Sequence, residues 1–118
     1  RVGVRGGTGS PYTVQSTNGA LSSNIWYHIA GVYDAGASIK VYINGVLNAT
    51  TTLSPFDPVP TLNAGSEDMF IGYKHLLGGS SSGADELDGK IGSVTIYNRV
   101  LSAAELVDNY DLHSGDYT

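Results

Sequence analysis

The dipeptide Asn44-Gly45 joins two short runs rich in β-formers, "SIKVYI" and "VLNATTT". Both residues tolerate positive φ, so a two-residue connection at this point specifies a type I′ hairpin turn. In the first run Ile39, Val41 and Ile43 share one face, while Lys40, Tyr42 and Asn44 share the other. Upstream, "IWYHIAGVY" (25–33) is apolar on both faces, the pattern of a central strand buried on each side. "DAGA" then turns the chain into the hairpin. The expectation is a three-stranded antiparallel meander over residues 25–52.

The flanks add further short strands. "RVGVR" alternates Val2 and Val4 with polar residues, and "YTVQS" (12–16) does the same with Tyr12 and Val14. The intervening "GGTGSP" lacks the lysine and following Ser/Thr of a phosphate loop and precedes no helix, so it reads as a hairpin connection. Residues 53–68 hold three of the four prolines and cannot form a regular element. "MFIGYK" (69–74) reads as a strand, "HLLGGSSSGADEL" as a Gly/Ser-rich loop and "GKIGSVTIYN" (89–98) as the final strand. In that last run Ile91 stands three residues before Val94, which requires a bulge at Gly92-Ser93 to keep both inward. Ser102 and Glu105 then form a capping box opening a helix expected to fade near Asn109. Seven or more short strands and one helix make an antiparallel all-β sandwich, and 118 residues suit one domain, 1–118.

Composition narrows the partners. Only 14% of residues are charged, and six Lys/Arg are scattered against eleven Asp/Glu. No basic patch recruits a phosphate backbone, so nucleic acid is excluded as a partner. No apolar run reaches the ~20 residues of a membrane span. There is no cysteine, hence no disulfide and no thiolate metal site. The chain starts at Arg1 inside a strand-like run and reads as a processed chain or a segment of something longer.

Four segments in order, "IWYHIAGVYD", "IKVYINGVL", "MFIGYK" and "LDGKIGSVTIYNRVLSAAEL", resemble the laminin-G-like jelly roll of the concanavalin A-like lectin/glucanase superfamily. The tail "VDNYDLHSGDYT" is similar to the ends of such modules in bacteriophage virion proteins. The resemblance implies several more strands before Arg1, and therefore exposed strand edges here that an unseen part of the polypeptide or a neighbouring subunit would cover. It departs from the family at Gly92-Ser93, where an Asp-Glu pair is common.

Candidate chemistry is sparse. A glucanase on this architecture needs an E-x-D-x-x-E run, and the three glutamates, Glu67, Glu86 and Glu105, do not supply one. Ser93, His28 and Asp34 could be imagined as a triad, but no G-x-S-x-G elbow exists. His28 reads instead as a hydrogen-bonded core histidine beside Trp26, itself assigned to the core. The chain is expected not to be an enzyme. Calcium (Ca2+) is the metal to consider, with Asp85 and Asp88 of "ADELDG" as ligands and Asp34, Glu67 or Asp68 as possible contributors. For glycans, which the resemblance favours, Phe56 of the Pro-rich loop and Tyr73 and His75 beside the Gly/Ser loop are the expected binding residues. "NAT" (48–50) matches a glycosylation sequon, a pattern common by chance.

The resulting expectation is a non-catalytic, lectin-like adhesion module on an extracellular or virion surface, with glycans as partners. The alternative is a structural phage protein, a capsid decoration or tail component, that uses the sandwich for contacts with other subunits, homo-oligomeric contacts included.

Overall fold

A computed structural model describes residues 2–4, 12–53, 71–72 and 87–117. Residues 1–63 with 97–118 form one compact unit and residues 64–96 another.

In the first unit β1 (Val2–Val4) pairs antiparallel with β2 (Tyr12–Val14), Val2 opposite Val14. A three-stranded antiparallel sheet follows, with β3 (Ile29–Asp34), β4 (Ser38–Ile43) and β5 (Val46–Thr52) in chain order. The Asn44-Gly45 turn has φ of 50° and 76°, as a type I′ turn requires. The antiparallel all-β class with one C-terminal helix is thus present, and so is the meander.

Burial departs from expectation in one respect: the central strand is β4, not the apolar 25–33 run. Residues 25–28 precede the sheet and β3 is an edge strand of the described sheet, so Ile25 and Ile29 are exposed. Strand β4 is covered on both faces. On one, Ile39 and Val41 pack with Val14 and Leu53, and Thr51 Oγ1 of β5 donates to Thr13 O of β2 at 2.9 Å. On the other, Tyr42 packs with Val32, Leu101 and Leu106. Alternation therefore selects two apolar faces here rather than one, because Tyr42 is buried as a hydrophobe.

A bulge is present, but in β5. Val41 faces Ala49 while Tyr42 faces Leu47, leaving Asn48 as the extra residue. The bulge frees the Asn48 side chain from the ladder: its Oδ1 accepts from Thr17 N at 2.9 Å and its Nδ2 donates to Thr17 Oγ1 at 3.3 Å. The sequon asparagine is already tied on both amide atoms.

Helix α1 (Ala103–His113) runs a turn beyond the expected Asn109. Its capping box is closed at both ends, Glu105 N donating to Ser102 Oγ at 3.2 Å and Ser102 N donating to Glu105 Oε2 at 2.8 Å. Leu106, on the face turned to Tyr42 and Val32, is the helix's buried residue. No described helix is long and apolar enough to cross a membrane.

In the second unit Leu87 N donates to Gly72 O at 2.7 Å, and a Cβ at Gly72 would lie 3.2 Å from Ile91 Cδ1. The expected final strand is not formed: residues 90–97 carry no ladder, and Ile91, Val94 and Ile96 are exposed. The bulge assigned to Gly92-Ser93 falls with it. Alternation supplies a strand's faces, but a strand also needs a partner for its N–H and C=O groups, and none pairs with this run among the described residues. The proposed strand 69–74 and the loops on either side lie almost entirely outside the described residues.

Candidate functional site

The turn end of the β4–β5 hairpin is where the first unit concentrates polar and aromatic groups. Asn44, in the left-handed region, donates its N–H to His28 O at 2.8 Å, and its Oδ1 accepts from His28 N at 2.9 Å. That reciprocal clamp extends β3 backward by one residue and fixes the 25–28 segment against the turn. Gly45 lies against α1, where a Cβ would come within 3.2 Å of Val107 Cα. Only glycine allows this approach together with φ of 76°.

His28 is half-buried, with its ring centroid 6.2 Å from that of Tyr110 on α1. Its Nδ1 is buried without a hydrogen-bond partner. Burial, reinforced by His113, pushes its pKa below the ordinary histidine value. The hydrogen-bonded core histidine expected from sequence is therefore corrected: the backbone is bonded, the ring nitrogen is not. A triad is also removed, because six strand residues put Asp34 ~20 Å from His28 along β3.

Trp26 is not in the core. It is 39% exposed and stacks on Tyr117, ring centroids 4.9 Å apart and planes 35° from parallel. The residue before Tyr117, Asp116, accepts through Oδ2 from the His113 ring at 3.1 Å when that Nδ1 carries the proton, and both side chains stay largely exposed. On the Trp26 side, Tyr27 Oη accepts from Ser22 N at 3.1 Å, and Asn24 takes φ of 62°. The signal in the sequence was the single tryptophan next to a turn-forming "SSN"; apolarity alone sent it to the core.

At the other end of α1, Arg99 grips Glu105 with two hydrogen bonds of 3.0 and 2.7 Å. These bonds, with the Ser102 N–H, hold the Glu105 carboxyl down to about 2. Glu105 is a capping group already engaged by Arg99 and Ser102, and among the described residues no second carboxylate is bonded to it.

Of the residues expected to bind ligands, Phe56, Tyr73, His75 and Asp85 lie outside the described residues. Asp88 is described and is exposed. Among the described residues no group of three or more His, Asp or Glu could hold a metal ion, so Asp88 has no described co-ligands.

Residues 1–107 match the family model Laminin_G_3, concanavalin A-like lectin/glucanases superfamily. The chain is also similar to a crystal structure of part of an S-layer domain-containing protein from Clostridium thermocellum, with a TM-score of 0.60 and 29% identity over 85% of this chain. It spans 45% of that structure's length. No curated protein sequence matches it. Neither match is to a bacteriophage protein, so the virion part of the expectation has no support in them. With two sheets of antiparallel strands, a capped closing helix and a family match over nearly its whole length, this chain belongs to the laminin-G-like family of the concanavalin A-like lectin/glucanase superfamily.

Proposed function

We propose that the chain is a non-catalytic carbohydrate-binding module acting at a cell surface. The observation that carries this reading is membership of the lectin/glucanase superfamily across residues 1–107, joined to a sequence with no strand-borne carboxylate run. Likeness to an S-layer domain-containing protein supports an extracellular, surface-associated setting. A fold hosts many functions, so the binding itself rests on the test. Phe56, Tyr73 and His75 remain the loop residues proposed to meet the sugar. Calcium enters only through Asp85 and Asp88, and calorimetry with an EGTA-treated control decides it: heat of binding and an EGTA-sensitive melting shift support it, and neither removes it.

The same S-layer likeness favours a second reading, a structural element of a surface assembly that contacts other subunits. A glycan array on the folded chain separates the two. Reproducible binding that Tyr73→Ala or Phe56→Ala abolishes supports the lectin; silence on the array with concentration-dependent oligomers supports the assembly element.

A further inference from the structure

We infer that Trp26 and Tyr117 form an aromatic platform for a neutral hexopyranose, an inference that rests on the carbohydrate-binding reading and adds a site to it. A sugar-stacking site needs an aromatic face held rigidly while still reaching solvent, because the C–H face of a pyranose ring is its apolar side. Trp26 meets both conditions. It is 39% exposed, and its ring is braced by Tyr117 at 4.9 Å. Its backbone enters the segment that the His28–Asn44 clamp ties to the hairpin turn.

The ring hydroxyls of a sugar need donors and acceptors beside that face. The chain supplies acceptors next to Tyr117 in the exposed His113–Asp116 pair: with His113 Nδ1–H donated to Asp116, the carboxylate's other oxygen and the ring Nε2 are left to accept from sugar hydroxyls. Ser23 and Asn24, just before Trp26 in the chain, are both exposed and add hydroxyl and amide groups. An exposed aromatic pair with exposed polar residues adjacent in the chain is the composition of a saccharide subsite rather than of a cofactor pocket. Charge then selects the class of sugar. The chain carries a net charge of −5, and an Asp stands beside the platform, so uronic and sialic acids are disfavoured and neutral hexoses or N-acetylhexosamines fit.

Trp26 is the single tryptophan, so its emission reports on this site alone. The test titrates cellohexaose and chitohexaose into the chain while following tryptophan fluorescence and, in parallel, calorimetric heat. The expected result is a blue shift and reduced acrylamide quenching on binding. Tyr117→Leu, which keeps the reporter, should weaken affinity about tenfold or more, with an unchanged melting temperature. Trp26→Ala should abolish the heat, whereas Trp26→Phe should retain part of it. Heat of binding with a silent Trp26, lost instead in Tyr73→Ala, would overturn the platform and leave the lectin reading standing. Absence of heat with both oligosaccharides and on the glycan array would overturn both. A Trp26→Ala change that only dissociates oligomers, seen by sedimentation, would reassign the pair to a subunit contact.

Discussion

Two runs in this chain carry alternating apolar residues, "SIKVYI" in β4 and "KIGSVTIY" near the helix, and they end in opposite places. In β4 Ile39 is 0% exposed and Val41 2%, whereas Val94 is 52% and Ile96 68% exposed. Side-chain patterning is similar; what differs is the company. Strand β4 has ladders on both edges, the β1–β2 hairpin over one face, and Leu101 and Leu106 over the other. Run 90–97 has no ladder among the described residues. Alternation is therefore a statement about faces, and burial is decided by neighbours that lie far away in sequence.

The sharpest way to break that comparison is to truncate one isoleucine from each run. Ile39→Ala leaves a cavity in a fully packed cluster and should cost about 2–5 kcal/mol, a large fraction of a domain's total stability. Ile96→Ala removes atoms already in water and should stay within about 0.5 kcal/mol. Denaturant unfolding of both variants checks this. Equal losses would mean that the 90–97 run is buried in solution, by a strand from elsewhere, and the contrast would disappear.

Gly45 tests why the β4–β5 hairpin holds its helix. A Cβ there meets a φ of 76° and the Val107 backbone at 3.2 Å, and backbone cannot yield as a side-chain tip can. Gly45→Ala should cost at least ~1–2 kcal/mol from the left-handed conformation alone. Hydrogen exchange should quicken in both β5 and α1, since the close approach involves both. Exchange confined to the turn would show that α1 is held by Leu106 alone.

How much of this was legible follows the range of each interaction. Asn44-Gly45 and the Ser102–Glu105 capping box are set by residues within a few positions of one another and were readable; so was the meander, expected over 25–52 and formed over 29–52, because tight turns fix its pairing. So was the split of Ile39 and Val41 from Tyr42, although not that both faces are buried. Trp26, His28 and the 89–98 run were misread because their surroundings are set far away in sequence: Tyr117 braces Trp26, Asn44 holds the His28 backbone, and no ladder reaches 90–97 among the described residues. The β5 bulge was missed because nothing near Asn48 marks it. The side chain it frees is taken up by the distant Thr17 on both amide atoms, a partner no local pattern announces. The ligand residues Phe56, Tyr73, His75 and Asp85 fall in 54–70 and 73–86, outside the described residues, so their sequence rationale stands alone.

A smaller effect is expected where the helix begins. Ser102→Ala removes the acceptor for Glu105 N and should cost about 1 kcal/mol, a usual N-cap loss. The comparison it sharpens is between local and distant support, because the capping box acts within three residues while Leu106 acts across the sheet. Arg99→Ala should do less, since its ion pair with Glu105 is exposed and screened by salt. A double variant whose loss equals the sum of the two would show that cap and ion pair act independently; a smaller loss would show that Arg99 works by aiming the Glu105 carboxylate at Ser102 N.

The two titrating groups give the smallest effects, and both lower stability on acidification, in separate windows. Glu105 is held at about 2, against an ordinary 4.5. The unfolded chain therefore takes up its proton first, so the contribution is complete above 4.5 and disappears as pH falls from there toward about 2. His28 is shifted below 6.5, chiefly by burial, so the unfolded chain again binds the proton first. The folded state is unaffected above 6.5 and loses ground as pH falls through it, because a charged ring would carry an unpartnered N–H at buried Nδ1. Melting temperature measured from pH 8 to pH 3 should show both declines. His28→Gln should flatten only the higher one and Glu105→Gln only the lower one. A higher decline that survives His28→Gln would overturn its assignment to His28.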